Sequence, residues 1–394
     1  MAASLGSAGF AWFGQAQSTL SLLAAFGSNG LAAGVTKLTA DKSDRANDYI
    51  GVWGTALAIA AFVGLALTSI LLVSADYFAT LLFGDAASAP YVRIVAIAVP
   101  FACCAPIFLA AITGQLHSVA AALAPMVANV TATIFAVWLC LAFGMTGAML
   151  SVLAAQVVAL IINALFLIQR NPRIRFSQFR PHMAYTRPLL GFGLMALVAG
   201  AASQTVAIYI RTSLAETYGW AEAGQWHAIM KISEIYLALA TATLTMYYLP
   251  RLSKTNTFHD FLRLLVRSVA YVLPITLVAS VLIFLLRDVI VAVVFTPEFS
   301  PIADMLWIQL VADFLRISSY FFAMVMWAKG MTRVFVLLEV AFAAVLVALA
   351  DNLLARYGVL GVLYAQAVTY ALYLLATIYV AFWLTPWIPR TRAS

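Results

Sequence analysis

The run VWGTALAIAAFVGLALTSILLV, beginning at Val52, contains no ionisable side chain. A stretch of about 18 or more such residues is long enough to cross a bilayer as a helix. Comparable runs recur along the chain, SVLIFLL ending at Leu286 among them, so the apolar material is not one anchor on a soluble domain. Of 394 residues 64% are hydrophobic and 9% charged, with a mean hydropathy of +0.99, where a soluble domain carries roughly a quarter charged residues. The fold class is therefore all-α, a polytopic membrane bundle.

Windows of about 20 apolar residues, broken by polar or Gly/Pro punctuation, define about eleven spans. They lie near 14–40, 50–74, 90–115, 118–143, 145–169, 188–212, 223–250, 262–286, 301–328, 331–356 and 358–384.

Cations sort between alternate connections. Lys42 and Arg45 follow span one; Arg170, Arg173, Arg175, Arg180 and Arg187 fill the longest connection; Arg251, Lys254 and Arg263 follow span seven. Lys329 and Arg333 follow span nine, and Arg390 and Arg392 end the chain. The other connections carry Asp76, Asp85, Glu216, Glu222, Asp288 and Glu298. The positive-inside rule makes the first set cytoplasmic, with the C-terminus inside and the N-terminus of this chain in the periplasm. The net charge of +7 thus reflects topology and implies no nucleic acid. Cys103, Cys104 and Cys140 fall inside spans without metal-ligand spacing, so no metal or cofactor is expected.

Three ordered anchors mark a duplication. GQAQSTLSLLAAFGSNG from Gly14 aligns with GQWHAIMKISEIYLALA from Gly224, Asp76 and Phe83 align with Asp288 and Phe295, and GMTGAML at Gly144 aligns with GVLGVLY at Gly358. The charge pattern gives both halves the same orientation, as in parallel transporter repeats with the substrate between them. The expected organisation is an N-terminal half-bundle of five helices over 1–170, an Arg-rich cytoplasmic linker over 171–187, and a six-helix half-bundle over 188–394. A full span from Pro188 to Arg211 precedes Gly224, whereas little precedes Gly14, so a first helix, which would bring the spans to about twelve, is expected to be missing.

An ionised residue at the centre of a span costs about 2.5–3.5 kcal/mol on insertion scales, so such residues mark function or a compensating pair. His227, Lys231, Glu234, Ala238, Thr241, Thr245 and Tyr248 follow helical steps down one face of span seven. Gln309, Asp313, Arg316 and Tyr320 do the same in span nine, and Gln204 and Arg211 share a side of span six. One reading makes Lys231 with Glu234, and Asp313 with Arg316, neutralised intrahelical pairs that fix packing. The other lines a cavity with them, where cations suit a phosphorylated amphipathic ligand and the acids exchange protons or sodium.

LLGFGLMALVAG, IRTSLAETYGWAEAGQWHAIMKISEIYLALATATLTMYYLPRLS, and the run from Trp307 through DFLRISSYFFAMVMWAKGMTR resemble the Wzx-type flippases for O-antigen and enterobacterial common antigen. Those proteins belong to the multidrug/oligosaccharidyl-lipid/polysaccharide exporter superfamily. The resemblance covers essentially the whole chain and implies an inner-membrane protein that moves undecaprenyl-pyrophosphate-linked oligosaccharide to the periplasmic leaflet by alternating access. It also implies proton or sodium coupling, and polysaccharide polymerase and chain-length proteins as partners. Arg211, Trp226, Lys231 and Arg316 are the substrate-binding candidates on the matching runs, with Glu234 and Asp313 for ion coupling.

The rival within the superfamily is a multidrug or cation antiporter, whose cavity should be net acidic. A membrane polymerase or glycosyltransferase would need catalytic groups on a sizeable external loop, and no external connection exceeds about twenty residues, closer to an ordinary linker. The ATP-binding pattern G-x-x-x-x-G-K-[ST] does not occur. An enzyme is not expected.

Overall fold

A helix of 53 residues, Ser118–Arg170, is about 80 Å long at the usual rise, far more than a hydrocarbon layer of about 30 Å. It is interrupted at Gly144, whose φ of 56° and ψ of −128° are not helical. The spans expected at 118–143 and 145–169 are thus one run turned back at a glycine. In the second half the same turn separates Thr332–Tyr357 from Val359–Tyr379 at Gly358, with φ 57° and ψ −134°. Only glycine adopts such a backbone without strain. Three residues on, a Cβ added to Gly147 would sit 1.8 Å from the Leu139 carbonyl oxygen, and one added to Gly361 would sit 2.1 Å from that of Leu353. The G-x-x-G pair therefore builds the same tight helical hairpin twice.

The computed structural model describes residues 2–41, 48–171, 179, 181–191, 194–385 and 387. Lys42, Arg45, Arg173, Arg175, Arg180, Arg390 and Arg392, used for topology above, lie outside the described residues, as do 172–178 and 180 of the 171–187 linker. In chain order the helices are α1 Ala2–Ala24, α2 Gly30–Asp41, α3 Asp48–Val73, α4 Ala75–Phe83, α5 Ala89–Gly114, α6 Ser118–Arg170, α7 Met183–Gly191 and α8 Leu194–Tyr218. They continue as α9 Trp220–Thr243, α10 Leu249–Lys254, α11 Phe258–Leu285, α12 Arg287–Val294, α13 Ile302–Ala328, α14 Thr332–Tyr357 and α15 Val359–Tyr379. No strand occurs among the described residues. Nine helices there are long and apolar enough to cross a membrane, or ten if the pair formed by Leu5–Ser28 and Gly30–Ala40, bent by 42°, is one span. That tally counts α6, with its two arms, once.

Several boundaries differ from the sequence expectation. Helix α1 begins at Ala2 rather than near Gly14, with a break at Gly6 (φ 67°, ψ 178°). The span expected at 188–212 runs on to Tyr218, its described helical residues being Met183–Gly191 and Leu194–Tyr218. Short helices α4 and α12 follow the long α3 and α11 and are too brief to register as spans. Each leads to a single 3-10 turn, Ala86–Ser88 and Pro297–Phe299.

Packing divides the chain into two units, essentially Trp12–Ile208 and Tyr209–Ser394, with Gly6–Ala11 joining the second. In the first unit α5 is central: 67% of its most apolar stretch is inside, against 22% for α3. Without water between helices, association relies on close contact of small residues. Accordingly a Cβ on Gly64 would meet Pro100 Cα at 2.8 Å, and one on Gly27 would meet Cys103 Sγ at 2.4 Å. The second unit repeats the plan, with α13 at 67% and α11 at 22%.

One end of the second unit is closed by aromatics. Phe261 stacks on Trp387 with centroids 4.7 Å apart, beside the buried Leu252, Phe321 and Val325. Lys329 Nζ donates to the Thr255 carbonyl and lies 5.1 Å from the Trp387 ring centroid. At the other end Ser7 Oγ donates to Glu298 at 3.1 Å, and Phe10 packs against Phe295, Phe299 and the His227 ring.

Candidate functional site

The end of α8 from Tyr209, with α9, α13, α14 and α15, carries the candidate ionisable residues of the second unit. Lys231 and Glu234 are one turn apart on α9, and Lys231 Nζ donates to Glu234 Oε2 at 2.7 Å. This pair is accessible, the Lys231 side chain being 32% exposed and that of Glu234 57%. The intrahelical pairing considered above is therefore present, but on an open edge and not in a packed seam.

Arg211 is 2% exposed, among the largest fully enclosed side chains of the protein. Its guanidinium carbon lies 5.5 Å from the Trp226 ring centroid, a cation–π approach. Its Nη2 reaches His227 Nδ1 at 3.4 Å. Because a guanidinium only donates, that contact puts the imidazole proton on Nε2. Among the described residues neither His227 Nε2 nor Trp226 Nε1 has a hydrogen-bond partner. His227, expected at the head of the polar face of span seven, is enclosed beside Phe10 and Arg211.

Asp313 is completely buried on α13. The spacing Asp313–Arg316 suggests an intrahelical pair, yet no direct ion pair joins them among the described residues. Asp313 Oδ2 accepts from Tyr236 Oη of α9 at 2.8 Å, and Oδ1 accepts from Gln309 Nε2 at 2.8 Å. A carboxylate with both oxygens bonded to neutral donors is held without needing a counter-ion in contact. Arg316 turns instead toward α15, its guanidinium carbon 5.9 Å from the Tyr370 centroid.

The expected residues thus comprise an accessible pair, Lys231–Glu234, an enclosed Arg211 beside Trp226, an Arg316 turned toward Tyr370, and a fully buried Asp313. Four residues of this network escaped the sequence reading: Tyr236, Glu339, Tyr370 and Tyr373. Glu339 had a usable signal, as a lone acid within VFVLLEVAFAAVLVALA. The tyrosines had none, because their partners sit on other helices.

Duplicated membrane-spanning units with charged residues inside one of them define a polytopic transporter-like protein. The chain belongs to the polysaccharide biosynthesis protein family, whose description matches residues 1–256. It is 29% identical to the lipid III flippase of Escherichia coli (strain K12) over 377 residues, covering 95% of this chain and 90% of that protein. The lipid III flippase of Shigella flexneri gives the same figures. Among solved structures, an inward-facing multidrug resistance MATE family transporter of the MOP superfamily aligns with a TM-score of 0.75 at 15% identity, covering 96% of this chain and 92% of that one. A MOP superfamily transporter from Pyrococcus furiosus Vc1 (DSM3638) aligns with a TM-score of 0.68 at 18% identity, covering 96% and 86%. At these identities the structural likenesses establish the fold.

Proposed function

We propose that this protein translocates an undecaprenyl-pyrophosphate-linked oligosaccharide across the bacterial inner membrane. The observation that carries this reading is similarity to lipid III flippases over 95% of the chain. The cluster of Lys231, Arg211 and Arg316 supports it, because a pyrophosphate takes charge-assisted hydrogen bonds from ammonium and guanidinium groups. Lys231 is the first contact, since it is the accessible cation of the three, and Trp226 orients Arg211. Glu234 holds Lys231 in the empty state and releases it to the incoming anion. Asp313 and Glu234 are the candidates for proton or sodium coupling. The C-terminus is cytoplasmic and the N-terminus of this chain periplasmic, with halves 1–170 and 188–394 joined by the basic segment 171–187. A polysaccharide polymerase and chain-length proteins are the partners.

Lys231→Ala is expected to abolish translocation while leaving the protein folded. An exposed pair of this kind contributes about 0–1 kcal/mol to stability, so loss of activity would report on anion binding and not on unfolding. The measurement is surface polysaccharide in an Escherichia coli strain deprived of its lipid III flippase and supplied with this chain. Undiminished polysaccharide with Lys231→Ala would remove Lys231 from the site. Failure of the unaltered chain to restore any polysaccharide, together with efflux of cationic dyes, would favour the multidrug antiporter that the fold also accommodates.

A further inference from the structure

Two short helices take no part in the function proposed above, α4 in the first unit and α12 in the second. Each follows a long apolar span across a single non-helical residue, Ser74 (φ −107°, ψ 26°) after α3 and Leu286 (φ −96°, ψ 7°) after α11. These two residues stand in the same register that aligns Asp76 with Asp288, so the break is part of the duplication. At the usual rise α3, with 26 residues, is about 39 Å long and α11, with 28, about 42 Å, so each has crossed a hydrocarbon layer of about 30 Å before the short helix begins.

Both short helices have three faces. One is packed inward: Ala75, Ala79 and Leu82 of α4 are buried, as is Val291 of α12. A second is apolar and open. Tyr77 and Leu81, one turn apart, are 67% and 53% exposed, and at the aligned positions Val289 and Val293 are 59% and 79% exposed. The third face is polar at its start, where the Asp76 and Asp288 side chains are exposed. Arg93 Nη2 lies 3.9 Å from Asp76 Oδ1, and Arg287 Nε lies 4.0 Å from Asp288 Oδ2. The Arg287 guanidinium carbon is also 4.5 Å from the Phe284 ring centroid, on the last turn of α11.

No uniform surrounding suits the two open faces together. Water would leave large apolar side chains exposed at the same positions of both repeats, and hydrocarbon would surround an aspartate in each. The head-group boundary satisfies both, with acyl chains on one side and water on the other. The apolar face is continuous with the lipid-facing end of its own span, where Leu72 and Val73 of α3, and Leu282 and Leu285 of α11, are exposed. We propose that α4 and α12 are interfacial helices, each lying in the head-group boundary with its open apolar face among the upper acyl chains and its aspartate in the head-group layer. In the orientation given above, that boundary belongs to the periplasmic leaflet. Each unit then carries its own anchor on that leaflet, whichever substrate is moved.

The test uses the full chain in phospholipid nanodiscs, with Cys103, Cys104 and Cys140 each changed to Ala and one nitroxide-labelled cysteine introduced at a time. Tyr77→Cys, Leu81→Cys, Val289→Cys and Val293→Cys sample the apolar face; Thr80→Cys and Ala292→Cys sample the face beside it. Power-saturation EPR compares access of molecular oxygen, which concentrates in hydrocarbon, with access of a water-soluble nickel chelate. The expected ratio of oxygen to nickel access is several-fold higher at the first four positions than at the other two. Nickel access at all six would place the helices in water and overturn the inference, and oxygen access without nickel at all six would do so by placing them within hydrocarbon. Immobile labels that neither reagent reaches on the apolar face would replace lipid with a protein partner and overturn it as well. The unaltered chain supplies a measurement free of substitutions: a phospholipid with a photoactivated diazirine near the top of its acyl chain should cross-link to Tyr77 or Leu81 and to Val289 or Val293. Adducts confined to the long spans would overturn the inference.

Discussion

Asp313→Ala is expected to lower stability by about 1–3 kcal/mol for each donor it strands, and to eliminate translocation. Two donors are stranded, the Tyr236 hydroxyl and the Gln309 amide, both 2.8 Å from the carboxylate. Hydrogen bonds between membrane helices average only about 0.6 kcal/mol when the freed groups find other partners. Here the larger figure governs, because Asp313 is fully enclosed and its loss leaves polar groups without water to turn to. Tyr236 is on α9 and Asp313 on α13, so the substitution also loosens the contact that fixes the helix of Lys231 and Glu234. Asp313→Asn retains an acceptor of the same shape and should recover part of the stability without recovering coupling. Thermal unfolding in detergent, paired with polysaccharide restoration in cells, separates the two effects. If the Ala variant unfolded at the same temperature as the unaltered protein, the tie between α9 and α13 would not be structural.

Gly361→Ala and Gly147→Ala should prevent accumulation of folded protein, and more severely than Gly358→Ala or Gly144→Ala. The reason is the kind of obstacle each new methyl meets. At Gly358 and Gly144 the penalty is a left-handed backbone, about 1–3 kcal/mol. The nearest atoms to a Cβ at Gly358 are those of the Tyr218 ring at 3.8 Å, and there are none within 4 Å at Gly144. At Gly361 and Gly147 the methyl would meet a main-chain carbonyl at 2.1 and 1.8 Å, and a helix backbone cannot step aside as a side chain can. The hairpin would have to open, taking α14 from α15 or splitting the two arms of α6. Size-exclusion profiles of fluorescent fusions would rank the four variants. A monodisperse peak for Gly361→Ala equal to that of Gly358→Ala would contradict the ranking.

The G-x-x-G anchors show how far local sequence reaches. Gly144 and Gly358 align as a repeat in the sequence, and they share a backbone conformation within a few degrees because a glycine flanked by two long apolar runs has one way to reverse them. The Lys231–Glu234 pair was equally legible, since residues three apart on a helix meet whatever surrounds them. Asp313 and Arg316 have the same spacing and do not pair, because neighbouring helices offered each a different partner. Short helices α4 and α12 and the early start of α1 were also missed, being too brief or too weakly apolar to register against the long spans.

The sequence by itself determined that the chain is a duplicated bundle of membrane helices with ions in its second half. Hydrophobic run length, glycine position and helical spacing are properties of one segment at a time, and in lipid a backbone must be a helix or part of a closed barrel, of which apolar runs of about 20 residues fit the helix. Only the tertiary structure decided that Arg211 is enclosed with Trp226 and His227, that Tyr236 and Gln309 hold Asp313, and that Tyr373 donates to Glu339. Those choices depend on how each helix is rotated about its axis against its neighbours. That rotation is set by small-residue contacts summed over whole interfaces, and no single stretch of sequence records it.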